Sequence, residues 1–181
     1  MGTIAVSEIS SEKEYENFSC GNDSVDELIS KSFYPHLLQQ QKVFKVLVSE
    51  HLVGLYCISF AIVDTSTSDT PLAEEYEKEP KYTALHINYL AIDKQVQRNG
   101  IGSTILKYIV REARRLNTNW PIRIITFDAL RSLTGWYLER GFEFLNAEDI
   151  DKTNPIRAMY FDLASEQQKR AINGYIEERG G

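Results

Sequence analysis

Six residues, Gln97-Arg98-Asn99-Gly100-Ile101-Gly102, stand between a strand pattern ending at Ile92 and a helix pattern opening at Ile101, and they restrict the fold more than any other segment. From Tyr82 to Ile92 the apolar anchors Leu85, Ile87, Tyr89 and Leu90 suit a strand. Beyond the glycines, Ile101, Ile105, Tyr108, Ile109, Ala113 and Leu116 trace one face of a helix, with lysine and arginine opposite. Glycines at such a junction let the backbone approach an anion, and the first helical N–H groups with the helix dipole favour negative charge. The junction therefore has the makings of a phosphate site. The dinucleotide fingerprint needs a third glycine and an acidic residue about 20 positions on, and the P-loop needs a Gly-Lys-Ser/Thr run; neither is present.

The flanking patterns fill in an α+β chain. Ile4, Val6 and Ile9 predict a short first strand followed by a capped turn at Ser10-Ser11-Glu12. Val25, Leu28, Ile29, Phe33 and Leu37 predict two short helices within Asp23 to Gln40, divided at Pro35. Lys42 to Ser49 and Leu52 to Val63 read as a hairpin joined at Glu50-His51. Asp64 to Lys81 is polar and holds two prolines, which predicts an exposed loop with a helical turn around Leu72 to Tyr76. Pro121 to Phe127 predicts a strand, Ser132 to Arg140 a short helix stopped by Gly141, and Phe142 to Leu145 and Ala158 to Leu163 two closing strands. Ser165 to Arg179 is a polar helix, and no internal repeat occurs.

Composition narrows the class. With 181 residues, 43% hydrophobic and 25% charged, the chain suits one folded domain and argues against disorder or a disulfide-dense scaffold. Met1 to Val6 lacks a basic or apolar leader, and Val6 occupies the position where a myristoylation signal needs a hydroxyl. No run of about 18 apolar residues follows, so the expectation is a cytoplasmic protein without a membrane partner. Cys20 and Cys57 have no metal-like spacing and read as reduced thiols; no metal is expected. The net charge of −6 opposes a broad nucleic-acid footprint, though Lys107, Arg111, Arg114, Arg115 and Arg123 cluster locally.

Leu90-Ala91-Ile92-Asp93 followed by Gln97-x-x-Gly100-x-Gly102, and then Trp136-Tyr137-Leu138-Glu139-Arg140-Gly141-Phe142, resembles the signature of the GNAT superfamily of N-acetyltransferases. The resemblance covers about Leu52 to Leu163. It implies a single domain over residues 1–165, with 166–181 as a polar C-terminal helix or tail. Its sheet would be mixed, mostly antiparallel, of about six or seven strands, splayed where acetyl-CoA enters and flanked by helices. It further implies that the strand through Leu90, Ala91 and Ile92 bonds the pantetheine arm of acetyl-CoA in strand fashion. Gln97, Arg98, Asn99, Gly100, Ile101, Gly102, Ser103 and Thr104 would hold the pyrophosphate.

Transfer of an acetyl group to an amine needs a proton acceptor for the amine and a proton for the departing thiolate. Tyr137 matches the family's tyrosine near the thiol, the other reading being a core aromatic. His86 lies where several family members carry a catalytic glutamate, and imidazole accepts protons near neutrality; the other reading is an ordinary strand hydrogen bond. Asn88, on the same strand face, is placed to hold a relaying water. Cys57, mid-strand in an apolar run, is set aside as a nucleophile.

The acceptor is less constrained. Phe18-Ser19-Cys20-Gly21-Asn22-Asp23-Ser24-Val25-Asp26-Glu27-Leu28-Ile29 resembles the opening of the toxin-like GNAT subgroup, whose members acetylate aminoacyl-tRNA and pair with antitoxins. A basic face of Lys107, Arg111, Arg114 and Arg115 would favour tRNA, whereas the acidic balance opposes it. The alternatives are a small or protein amine drawn by the acidic Asp64 to Glu79 loop, and a non-catalytic acyl-CoA-binding or partner-binding module. A homodimer stays open.

Overall fold

Two successive left-handed residues, Ser49 at φ 49° and Glu50 at φ 69°, turn the chain back on itself and create the first hairpin. That pair of positive φ angles matches the twist of the flanking strands, so the connection falls one residue earlier than predicted and His51 already belongs to the strand. The computed structural model describes residues 3–65, 72, 81–146 and 153–179. Its strands are β1 (Ile4–Glu8), β2 (Lys42–Val48), β3 (His51–Asp64), β4 (Lys81–Ile92), β5 (Ile124–Leu130), β6 (Glu143–Phe144) and β7 (Ile156–Asp162). Its helices are α1 (Asp23–Ser30), α2 (Phe33–Leu37), α3 (Ile101–Asn117), α4 (Thr134–Leu138) and α5 (Glu166–Arg179). The strands hydrogen-bond in the order β1-β2-β3-β4-β5-β7-β6. Strands β4 and β5 are parallel, and the β1–β2, β2–β3, β5–β7 and β6–β7 pairs are antiparallel.

Two predicted boundaries moved for local reasons. Pro35 does not divide the first helices: it is the third residue of α2, where its missing N–H costs nothing, and the break comes at Lys31 and Ser32. The strand predicted from Pro121 begins at Ile124, because Ile122 N–H turns back to the Trp120 carbonyl. The capped turn is present as a 3-10 turn at Glu12–Glu14, with Ser11 and Glu14 forming a capping box. Of the predicted helical turn around Leu72 to Tyr76, Leu72 is described, helical and buried, while the rest of that turn and most of the polar Asp64 to Lys81 loop lie outside the described residues.

The chain divides into two compact units, Met1–Ser59 with Ile87–Glu112 and Phe60–His86 with Ala113–Gly181. In the first, Ile9, Tyr15, Ile29, Val43, Leu55, Cys57, Tyr89 and Ala91 form the core. In the second, Leu72, Ala84, Ile124 and Tyr160 form one cluster. Phe127, Tyr137 and Phe142 form another, with ring centroids 4.3 to 5.8 Å apart.

Gly54 decides how closely β3 meets the elements that carry the phosphate turn. A Cβ there would lie 3.0 Å from the Ala91 carbonyl oxygen, 3.1 Å from Ile92 Cδ1 and 3.3 Å from Ile105 Cδ1. Gly54→Ala should therefore overpack this junction, cost about 1–3 kcal/mol and lower the thermal midpoint measured by circular dichroism. An unchanged midpoint would mean that β4 and α3 yield freely at this point.

Candidate functional site

The turn between β4 and α3 is shaped by its own first residues. Asp93 N–H bonds the Val53 carbonyl (3.0 Å), while Asp93 accepts from Gln95 N–H through its carboxylate (2.8 Å) and from Val96 N–H through its carbonyl (3.0 Å). Arg98 (φ 64°) and Gly100 (φ 79°) are left-handed, so successive amides point into one concavity. The backbone N–H groups of Arg98, Asn99, Gly100, Ile101 and Gly102 find no acceptor among the described residues. Gln97 to Gly100 are exposed, and the space a Cβ of Gly100 would occupy is empty to 4 Å. Unpaired donors at the positive end of a 17-residue helix suit a pyrophosphate.

The side chains of this turn divide by role. Gln97 Nε2 donates to the carbonyls of Cys20 (2.7 Å) and Ile92 (3.0 Å). Asn99 Nδ2 donates to the Val96 carbonyl (3.3 Å), and Thr104 Oγ1 donates to the Gly100 carbonyl (3.1 Å). These three brace the turn and leave the anion to the backbone. Arg98 is exposed and has no ion-pair partner among the described residues, so its guanidinium is available to an anion. Ala91 is buried, whereas Leu90 and Ile92 are half-buried. The parallel register with β5 covers Ala84, Leu85 and His86, and β4 runs on to Ile92.

His86, the last β4 residue in register with β5, and Tyr137 both lie in the second unit. His86 Nδ1 is 3.1 Å from Thr126 Oγ1. Burial pushes the imidazole below its ordinary value, while Asp128, two residues along β5 from Thr126, pulls it partly back. With Nδ1–H donating to Thr126, Nε2 keeps a lone pair for an incoming proton. Tyr137 packs on Phe127, the β5 residue next to Thr126, with ring centroids 4.3 Å apart. Trp136 stands edge-on to the same ring at 4.7 Å and is capped in turn by the Arg140 guanidinium at 4.0 Å. The ring of Tyr137 is wedged, yet its hydroxyl has no hydrogen-bond partner among the described residues. Burial pushes this phenol up to about 12, so it stays protonated at neutral pH.

Asn88 is more occupied than a water relay requires. Its Nδ2 faces Gln41 Oε1 (3.1 Å) and Cys57 Sγ (3.2 Å), and its Oδ1 accepts from Ser59 Oγ (3.2 Å). Burial pushes the Cys57 thiol up to about 11, which keeps it un-ionised and unreactive. On α3, Lys107, Arg111, Arg114 and Arg115 are exposed. Arg123 does not join them, because it holds Asp162 through two bonds of 2.9 and 3.1 Å. Among the described residues no cluster of His, Cys, Asp and Glu is built to hold a metal ion, and no helix is long and apolar enough to cross a membrane.

Sequence reasoning missed Gly54, Asp26 and Asp128. A glycine inside a strand was the available signal for the first. The other two act through tertiary proximity, which no local pattern encodes.

The family described as an acetyltransferase (GNAT) domain matches residues 72–163. No curated protein matches the sequence. Among solved structures, a tyrosine-to-phenylalanine mutant of KacT is similar with a TM-score of 0.73 at 16% identity, over 95% of this chain and 98% of that one. AtaT complexed with acetyl-methionyl-tRNAfMet gives 0.71 at 13%, over 96% and 99%. AtaTR bound with AcCoA gives 0.70 at 14%, over 96% and 98%. At these identities the likeness is one of fold.

Because Gly100 is left-handed, Gly100→Val should strain the turn by about 1–2 kcal/mol although nothing blocks the side chain. Weaker binding of inorganic pyrophosphate in calorimetry is the expected outcome; equal binding would show that the turn's amides do not form the anion site.

Proposed function

The chain belongs to the GNAT acetyltransferase family, and we propose that it moves the acetyl group of acetyl-CoA onto a primary amine that attacks directly while both substrates are bound. The observation that carries this reading is the row of five unpaired amides from Arg98 to Gly102. Those donors fit a pyrophosphate, and Arg98 adds a free cation. Beyond His86, the backbone of β4 through Leu90 and Ile92 is suited to strand-like bonds with the pantetheine amides. Acetyl-CoA supplies the acyl carbon as a thioester. His86 Nε2 takes the proton that the amine loses as its nitrogen bonds that carbon. Tyr137 gives its hydroxyl proton to the sulfur as the carbon–sulfur bond breaks. The retained proton on Tyr137 and the lowered value of His86 suit these opposite tasks. Asn88 is better assigned to bracing β4 against Gln41, Cys57 and Ser59.

A second, narrower reading makes the acceptor the amino group of an aminoacyl-tRNA. It is favoured by the near-complete coverage of AtaT, described in complex with acetyl-methionyl-tRNAfMet, and by the exposed cations of α3. An antitoxin partner belongs to the same reading. Thiol release from acetyl-CoA, assayed with small amines and with charged tRNA, separates the two acceptors. Tight CoA binding without release on either would leave a binding module.

Tyr137→Phe should lower kcat by about 10²–10⁴-fold, the usual range for losing a general acid. His86 must be neutral to act, so activity should fall as pH drops through its lowered value. The acid limb of kcat/KM is therefore expected below about 6.5, the ordinary imidazole value. His86→Ala should abolish that limb, and a profile identical to wild type would remove His86 from the mechanism.

A further inference from the structure

We propose that Ser19 to Asp26 is a positioning strap for acyl-CoA, with Asp26 the residue that fixes the strap and, through it, the Gln97–Gly102 turn in its anion-binding shape. The inference rests on the acetyl-CoA reading above. An exposed turn with two left-handed residues and unpaired amides is only partly held by its own bonds at Asp93, Asn99 and Thr104, since without ligand those donors are served equally well by water in other conformations. Bonds from outside the turn add to those it makes itself.

The tethers come from one place. Lys94 N–H donates to the Ser19 carbonyl (3.0 Å), and Gln97 Nε2 joins the Cys20 carbonyl to that of Ile92. Gly21, at φ 79°, lets the strap lie against Lys94: a Cβ there would be 3.5 Å from Lys94 Cβ. The strap is itself pinned by Asp26. Ser19 Oγ donates to Asp26 Oδ2 (2.7 Å), Cys20 N–H donates to Asp26 Oδ1 (2.9 Å), and Gly21 N–H donates to Ser19 Oγ (3.2 Å). Asn22 caps α1 by accepting from Val25 N–H (3.1 Å), which sets Asp26 in the first turn of that helix. Burial pushes the Asp26 carboxyl up, but the bonds from Cys20, Ser19 and Gly21 outweigh it and leave the group below its ordinary value and ionised. A charged acceptor holding two donors makes this the strongest joint in the chain of contacts from α1 to the pyrophosphate turn. A turn held ready loses less freedom on binding, so the strap acts on donor affinity and leaves the acceptor untouched.

The test is calorimetric titration of CoA into the full chain, with steady-state kinetics on an amine acceptor. For Asp26→Ala, Kd for CoA and KM for acetyl-CoA should both rise roughly tenfold, while kcat at saturating acetyl-CoA and the acceptor KM stay within about twofold. Asp26→Asn retains one acceptor oxygen and should fall between wild type and Ala. Should Asp26→Ala fail to fold, Ser19→Ala removes a single tether and should raise both constants about threefold. CoA affinity equal to wild type in Asp26→Ala or Ser19→Ala overturns the strap, as does a change confined to kcat or the acceptor KM. Wild-type protein that does not bind CoA overturns the acetyl-CoA reading instead.

Discussion

A backbone phosphate site of the kind proposed would leave hydrogen bonds unmade, and that constraint bears on the first unit of this protein. The amides from Arg98 to Gly102 are donors without acceptors among the described residues, each a group that folding ordinarily satisfies. Keeping them free takes a left-handed kink at Arg98 and Gly100, a short Asp93 turn before it and a helix dipole after it. It also takes close approach behind the turn, which Gly54 permits by having no side chain where Ala91, Ile92 and Ile105 converge. The polar side chains Gln97, Asn99 and Thr104 serve the same end by bonding nearby carbonyls, so that the amides alone face outward.

What sequence made legible follows from where the information resides. The Gly100 turn, the hairpin and the α3 periodicity are encoded by consecutive residues, and the structure contains all of them within a residue or two. Pro35 misled because a proline stops a helix only where its N–H or the preceding turn is needed, and in the first turn of α2 neither is. The function of Gln97 was legible as a motif position and illegible as a mechanism. Its amide bonds Cys20, 77 positions away, and no spacing rule reports such a partner. The same holds for His86, whose proton affinity depends on Thr126 and Asp128 across the sheet.

In the role proposed for Tyr137, the two readings of a buried aromatic are compatible. The contacts with Phe127, Trp136 and Phe142 are those of a core residue, and they are what fix the phenol in one orientation. Apolar surroundings also penalise the phenolate, which keeps the proton on the oxygen at neutral pH. A residue that must hold a proton until a thiolate develops beside it gains from such packing. Its hydroxyl, without a hydrogen-bond partner among the described residues, separates it from Tyr82 and Tyr160, whose hydroxyls bond the Leu72 carbonyl and Glu143.

Net charge turned out to be a blunt guide to the acceptor. At 3.6 residues per turn, Lys107, Arg111, Arg114 and Arg115 fall within an arc of about 100° on α3. Arg111 has an acidic neighbour on that helix, Glu112, at 3.7 Å. Over a screening length of about 8 Å, a ligand on that face responds to those cations and hardly at all to the chain's total of −6. The N-terminal motif needs the opposite revision. Phe18 to Ile29 resembled a marker of the acceptor class, but its polar residues Ser19, Asn22 and Asp26 spend their bonds on the strap and the helix cap. Val25 and Ile29 pack into the core beneath them. The polar half of that motif therefore bears on how the donor is held, and any information it carries about the acceptor has to come from the residues it leaves exposed, such as Leu28.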